Sequence, residues 1–202
     1  METSIISSSS EVATQLIRFR KSIYADSYVG GSLSDAVLQE ILINATWAPT
    51  HKMTEPWRFI VLEGSQLEKY GNYMAGYYKY LYEDITDVEK KAAKYNYLKK
   101  YPLKAACLIG VILSKSTKVN IPEWEELAAV SCAVQNMAIS ATSYQLGSYW
   151  DSSGAAIEYV KTFGLEANEQ SLGLFFIGFP EESALSVTKR RTAIDKKVSW
   201  HI

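Results

Sequence analysis

The chain has 202 residues, 48% of them hydrophobic, and a formal net charge of −1 at pH 7. That is apolar material enough for a full core in one domain spanning residues 1–202, and the charge balance removes any global reason to bind nucleic acid or an anionic membrane. Cys107 and Cys132 stand in apolar surroundings at a spacing that suits neither a zinc knuckle nor a CxxC redox pair, so they read as reduced core thiols of a cytoplasmic protein. The opening METSIISSSS lacks the basic and apolar regions of an export signal, and no later stretch reaches the roughly 18 to 20 apolar residues of a membrane span. A soluble, unexported protein is expected.

In chain order, residues 11–21 read as a short helix that delivers Arg18, Arg20, Lys21 and Ser22 at its end. Ser34 to Thr46 reads as a second, with Ser34 as cap and Val37, Leu38, Ile41, Leu42 and Ala45 as one apolar stripe. Pro49 forbids its continuation. A polar run, Thr50 to Glu55, then sits between Pro49 and Pro56 and holds His51, one of only two histidines. WRFIVLEG, residues 57–64, is an aromatic and β-branched run closed by glycine and reads as a buried strand, followed by a helix from about Gln66. Residues 77–101 are dense in Lys, Glu and Tyr. They read as a helical excursion without a deep core; Tyr77, Tyr78, Tyr80 and Tyr82 form either a packed face or an aromatic lid over a site.

ACLIGVILS from Ala106 and SLGLFFIGFP from Ser171 read as two more buried strands, with a short one at GSYWDS from Gly147. Before that short strand lies a long helix. Pro122 suits its first turn, Glu123, Glu125 and Glu126 suit the positive end of its dipole, and Gly147 is placed to end it. Leu127, Val130, Val134, Met137, Ala141 and Tyr144 repeat at spacings of three and four, and the other faces are mostly small residues. Such a helix is buried on several sides, at the centre of a layered fold or in a subunit interface, and the interface is favoured. Strands alternating with helices predict α/β or α+β layers.

The chemistry is first bounded by absences. No G-x-G-x-x-G follows the first strand, and there is no Walker loop and no G-x-S-x-G elbow. With His51 and His201 as the only histidines, a histidine-rich metal site is excluded. What remains are two basic clusters: Arg18 to Ser22, and Thr188 to Lys197 after the last strand. Cations with hydroxyl donors suit a phosphate, although cations in a helix's last turn also complement its dipole without any ligand.

RKSIY after the opening helix, ATWAPTHKMTEPWRFIVLEG, IPEWEELAAVSCAVQNMAISATSYQLGSYWDSSG, GLFFIGFP and the closing KRR occur in one order from Arg18 to Arg191. Together they resemble the flavin mononucleotide (FMN)-dependent nitroreductase family, its small single-domain branch most of all. The resemblance implies an α+β fold with a central, mainly antiparallel sheet flanked by helices, in an intertwined homodimer with two flavins at its interface. KKVSWHI, Lys196 to Ile202, alternates enough to cross to the partner as an extra strand.

By the same resemblance Arg20, Lys21 and Ser22 bind the FMN phosphate, ribityl chain and polar ring edge, and Lys189 and Arg191 close on the phosphate. Pro49, Thr50, His51 and Met53 reach the flavin from the other subunit; Tyr149 and Trp150, with Ser152 to Gly154, border the ring. Asp151 and Tyr24 depart from the family pattern and leave the NADH or NADPH preference open. Trp47 and Trp57 read as core anchors. The implied reaction is a ping-pong hydride transfer from NAD(P)H through flavin N5 to a nitroaromatic, quinone or similar planar acceptor, with no catalytic side chain and no metal. A positive charge near the N1 and C2 carbonyl edge, from Lys21 or Arg20, steadies the reduced ring. The alternatives are a non-enzymatic FMN-binding redox sensor, or a flavoenzyme of the same scaffold that dehydrogenates or dehalogenates.

Overall fold

The computed structural model describes residues 2–186 and 189–201. Its centre is an antiparallel sheet ordered β1-β2-β4-β3, with β1 Trp57–Leu62, β2 Cys107–Ser114, β3 Gly147–Asp151 and β4 Glu169–Gly178. All four expected strands form; β2 and the second half of β4 are continuous apolar runs, the signature of a strand covered on both faces, whereas β1 is half-buried and β3 is short and mixed. β2 is buried along its length as far as Leu113.

Strand alternation sends β2 side chains into two different cores. Cys107, Ile109, Val111 and Leu113 face α2 (Asp35–Thr46) and α5 (Glu123–Ser143), where Leu38, Ile41, Ala45, Val130, Met137 and Ala141 complete an aliphatic layer. Leu108 and Ile112 face α3 (Ser65–Tyr77), α4 (Val88–Lys100) and α6 (Gly154–Lys161), a layer built around Tyr70, Tyr149, Tyr159 and Phe176. The expected α+β architecture, helices on both sides of an antiparallel sheet, is what the chain adopts.

Several local expectations need correction. The first helix, α1, runs Glu2–Phe19 rather than from residue 11. Ser34 caps α2 as expected, its hydroxyl accepting from the Val37 amide at 3.4 Å. α5 ends at Ser143, and Gln145, with a φ of 59°, makes the left-handed turn, so Gly147 opens β3 instead of ending the helix. Of the α5 seam, Val130, Val134, Met137 and Ala141 are buried, whereas Leu127 and Tyr144 at its ends are exposed. α6 was not anticipated, although Ser153 caps it by accepting from the Ala156 amide.

Residues 77–101 contain the end of α3, a 3-10 turn Lys79–Leu81 and α4. They do enter a core, through Tyr82 and Leu98, and the Tyr82 hydroxyl donates to the Ala75 carbonyl at 2.8 Å. Among the described residues of the C-terminal segment there is a 3-10 turn, Ile194–Lys196, and no strand over 196–201; Ile202 lies outside the described residues. Trp57 packs against the aliphatic layer, but Trp47 is 81% exposed and anchors no core within the chain. Cys107 and Cys132 are both free, and burial pushes the Cys107 thiol up to about 12. No helix among the described residues is long and apolar enough to cross a membrane.

Candidate functional site

The basic end of α1 is carried to the sheet by a short strap. Ser22 bridges Ser148 in parallel, the Ile23 amide donates to the Ser148 carbonyl at 3.1 Å, and Tyr28 bridges Pro180. The buried Tyr28 hydroxyl closes the strap on the Ile23 carbonyl at 2.7 Å. Arg20 and Ser22 are thereby fixed beside Ser148, Tyr149 and Trp150.

A cavity of about 780 Å³ opens between the end of α1, the C-terminal end of α5 and the segment after Leu185. Arg18, Arg20, Lys21, Lys189 and Arg191 all border it, so the two basic clusters, 168 residues apart in sequence between Lys21 and Lys189, meet at one place. Thr188, which opened the second cluster, lies outside the described residues. The Lys21 ammonium donates to the Leu185 carbonyl at 2.8 Å. Burial first, and then the Lys189 ammonium, hold Lys21 below the ordinary lysine range. A cation set close enough to Lys21 to lower its proton affinity is a geometry that an anion relieves.

A second cavity, of about 300 Å³, lies where the middle of α5 faces β3 and β4. Its border includes Ser22, Gln135, Ser148, Tyr149 and Trp150, and Arg20 belongs to both cavities. Trp150 is oriented by a β-bulge: the β2–β4 register shifts between Gly110 and Ile112, and the Leu172 carbonyl accepts from the indole N–H at 2.8 Å. Gly173 is what permits the bulge. Its φ is 98°, and a Cβ there would lie 2.1 Å from the Asp151 carbonyl oxygen. The Asp151 carboxylate accepts from the Ser153 amide at 2.9 Å at the start of α6. Tyr24 is exposed, with its ring 4.9 Å from that of Tyr149.

The loop between Pro49 and Pro56 is elsewhere. Lys52, Met53 and Glu55 all have positive φ, and Thr50 holds the strained turn together: its hydroxyl accepts from the Glu55 amide at 3.0 Å and bonds the Thr54 hydroxyl at 3.2 Å. His51 uses Nδ1 to pair with the Glu125 carboxylate in the first turn of α5. The loop therefore sits at the N-terminal end of α5, while the basic cavity sits at Thr142 and Gln145 near its C-terminal end. A helix of 21 residues separates them by about 30 Å. Met53 is largely exposed, as are Trp47 and Trp124, so this end of the molecule presents apolar surface to solvent.

Of the expected site residues, the structure brings together Arg20, Lys21, Ser22, Tyr149, Trp150, Lys189 and Arg191, and leaves Pro49, Thr50, His51 and Met53 apart. Tyr77, Tyr78, Tyr80 and Tyr82 border neither cavity. Thr142, Gln145 and Glu125 were not anticipated. No local pattern marks the first two, which lie on either side of the end of α5 at Ser143; Glu125 reads from sequence as a dipole partner alone.

The fold is a layered antiparallel sheet flanked by helices, with cations gathered at one cavity beside the end of α5. The chain belongs to the nitroreductase family, whose sequence model matches residues 17–179. The Bacillus subtilis (strain 168) protein YfhC, provisionally named an NAD(P)H nitroreductase, is 29% identical over 187 residues, 91% of each chain. Among solved structures, a nitroreductase-like family protein from Bacillus cereus superimposes with a TM-score of 0.73 at 24% identity, covering 93% of this chain and 95% of that one. The FMN-dependent nitroreductase NfnB from Mycobacterium smegmatis, solved in complex with NADPH, gives 0.72 at 13% identity over 96% and 99% of the chains. These two share the fold.

Proposed function

We propose that the chain is a single-domain cytoplasmic oxidoreductase that binds FMN, takes reducing equivalents from NAD(P)H and delivers them to a nitroaromatic, quinone or similar planar acceptor. The observation that carries this reading is the convergence of Arg18, Arg20, Lys21, Lys189 and Arg191 on one cavity of about 780 Å³, with Arg20 also bordering the smaller cavity at Trp150. The donor set fits FMN part by part. Cations of the larger cavity suit the phosphate, Thr142, Gln145 and Ser22 suit the ribityl hydroxyls, and Trp150 with the small α5 residues suits a flat ring. Family membership and the printed description of NfnB, FMN-dependent and in complex with NADPH, support the same assignment.

FMN supplies the hydride chemistry when bound, so the protein's own work is binding and electrostatics. Arg20, common to both cavities, is the side chain placed to hold positive charge against the polar ring edge. Lys21, Lys189 and Arg191 hold the phosphate, and the Trp150 bulge keeps the indole from folding into the ring space. The chain's own Thr50–Met53 loop, about 30 Å from its own cations along α5, serves a second copy. Two chains paired side by side along antiparallel α5 helices would bring the loop at the N-terminal end of each α5 to the cavity at the C-terminal end of the other, with the exposed Trp47, Trp124 and Leu127 covered by the partner, which is the homodimer.

Arg20→Ala should weaken FMN binding at least tenfold, about the worth of one charge-assisted hydrogen bond; gel-filtered protein that keeps a full complement of FMN after this change overturns the assignment. Because Lys21 is held below the ordinary lysine range, it loses its proton earlier as pH rises. FMN affinity, read by quenching of flavin fluorescence, should therefore fall on the alkaline side at a lower pH than an exposed lysine would give. Lys189→Ala should move that limb upward.

A further inference from the structure

Resting on the flavin reading and on the homodimer that goes with it, we propose that Glu125 is a positioning residue for the cofactor: it holds the His51 ring so that Nε2 is the atom offered to the flavin in the partner's cavity. Three carboxylates stand in the first turn of α5, and each has a different partner. Glu123 pairs with the Lys115 ammonium at 3.2 Å, and the buried Glu126 accepts from the Ser116 amide at 3.0 Å. Glu125 turns instead to the loop between Pro49 and Pro56 and pairs with His51 Nδ1. A helix dipole alone gives the three no reason to differ.

The loop needs such a contact. Lys52, Met53 and Glu55 have φ values of 51°, 53° and 45°, a conformation that strains any residue with a side chain. Strain of this kind persists where the surroundings fix it. Thr50 fixes the turn from within, through the Glu55 amide and the Thr54 hydroxyl. Among the described residues, the bond between His51 and Glu125 is the one hydrogen bond from a loop side chain that reaches another element.

The nitrogen that Glu125 takes decides what His51 can do. A carboxylate only accepts, so the pair keeps a proton on Nδ1. Nε2, the ring nitrogen farther from the main chain, is left for a second partner: a lone pair for a ribityl hydroxyl or the flavin N3–H when the ring is neutral, a donor for a flavin carbonyl when it is charged. The His51 side chain is 50% exposed and that of Glu125 25%, so the imidazole is the outward member of the pair. Glu125 does not hold the flavin itself, because its charge repels a phosphorylated ligand. Loss of that charge alone tightens FMN binding, whereas loss of the support for His51 loosens it. The two roles differ in sign.

Quenching of flavin fluorescence on titration with FMN reads the role. Glu125→Ala and His51→Ala should each weaken binding about fivefold, the range of one neutral hydrogen bond, and the double variant should bind no more weakly than His51→Ala. Glu125→Gln, whose amide oxygen still accepts from Nδ1–H, should recover most of the loss. Mixed dimers purified through two affinity tags then locate the action. One Arg20→Ala chain paired with one Glu125→Ala chain should keep one site at the unmodified affinity, because both defects fall on the same site; a His51→Ala chain paired with a Glu125→Ala chain should keep none. Tighter or unchanged binding by either single variant, a further loss when Glu125→Ala is added to His51→Ala, or Glu125→Gln as weak as Glu125→Ala overturns the positioning role alone. Paired Arg20→Ala and His51→Ala chains with no site at the unmodified affinity overturn the exchange of loops between subunits, and the role of Glu125 with it. Unmodified protein that binds no FMN overturns the flavin reading itself.

Discussion

The two faces of the sheet solve the same burial problem with different residues. On the α2 and α5 side the core is aliphatic and small: Leu38, Ile41, Ala45, Val130, Ala133, Met137 and Ala141. On the α3, α4 and α6 side it is aromatic, with Tyr70, Tyr82, Tyr149, Tyr159 and Phe176 in ring contact or close packing. Small residues let α5 lie close to the sheet and leave room beside Ser131 and Ala138 for the smaller cavity. Tyrosines instead fill volume with rings whose hydroxyls must each find a partner or go without. One face makes space for a ligand; the other makes a continuous aromatic medium behind it.

Substitutions can break the contrast. Met137, fully buried at the centre of the aliphatic face, tests whether that face is packed to the same density as an ordinary core. Met137→Ala should cost about 3 kcal/mol in urea unfolding, the transfer loss plus a cavity that small neighbours cannot refill. A cost below 1 kcal/mol would mean that α5 settles inward and that the layer is not tightly fixed. On the aromatic face Gly71 sets the approach of α3 to α4, since a Cβ there would lie 2.0 Å from the Lys99 carbonyl oxygen. Gly71→Ala should destabilise by about 2 kcal/mol, the overpacking cost exceeding the gain in helix propensity. Smallest, and opposite in sign, is Tyr70→Phe. Removing a buried hydroxyl that makes no well-formed hydrogen bond among the described residues should stabilise by about 1 kcal/mol, and destabilisation would show that the hydroxyl is satisfied, Ser153 being the nearby side chain able to do so.

The same contrast decides what could be read from sequence. The strands were legible because β2 and β4 are buried on both faces and must be continuous apolar runs. The α5 seam was legible because Val130, Val134, Met137 and Ala141 keep a spacing of three and four. The tyrosine face was not, because Tyr77 to Tyr82 look alike whether they pack, line a lid or meet water; only the fold puts Tyr82 in the core and leaves Tyr80 outside. Half of the site could be read as well, since Arg20, Lys21, Lys189 and Arg191 are cations in places where a dipole alone would not need so many. Their meeting at one cavity could not, because it depends on α1 and the segment after Leu185 closing on the same end of α5. Trp47 was misread because an aromatic residue beside an apolar helix looks like core whether the helix end is covered or open.

We propose a flavin in the cavity on the aliphatic face, reduced there by a nicotinamide. Anaerobic titration of gel-filtered, FMN-loaded protein with NADH and with NADPH tests it most directly. The yellow absorbance should bleach with about one equivalent of at least one of the two per flavin bound, and a quinone or nitroaromatic added afterwards should restore it. Protein that takes up no FMN, or that stays yellow with both nucleotides, would contradict it.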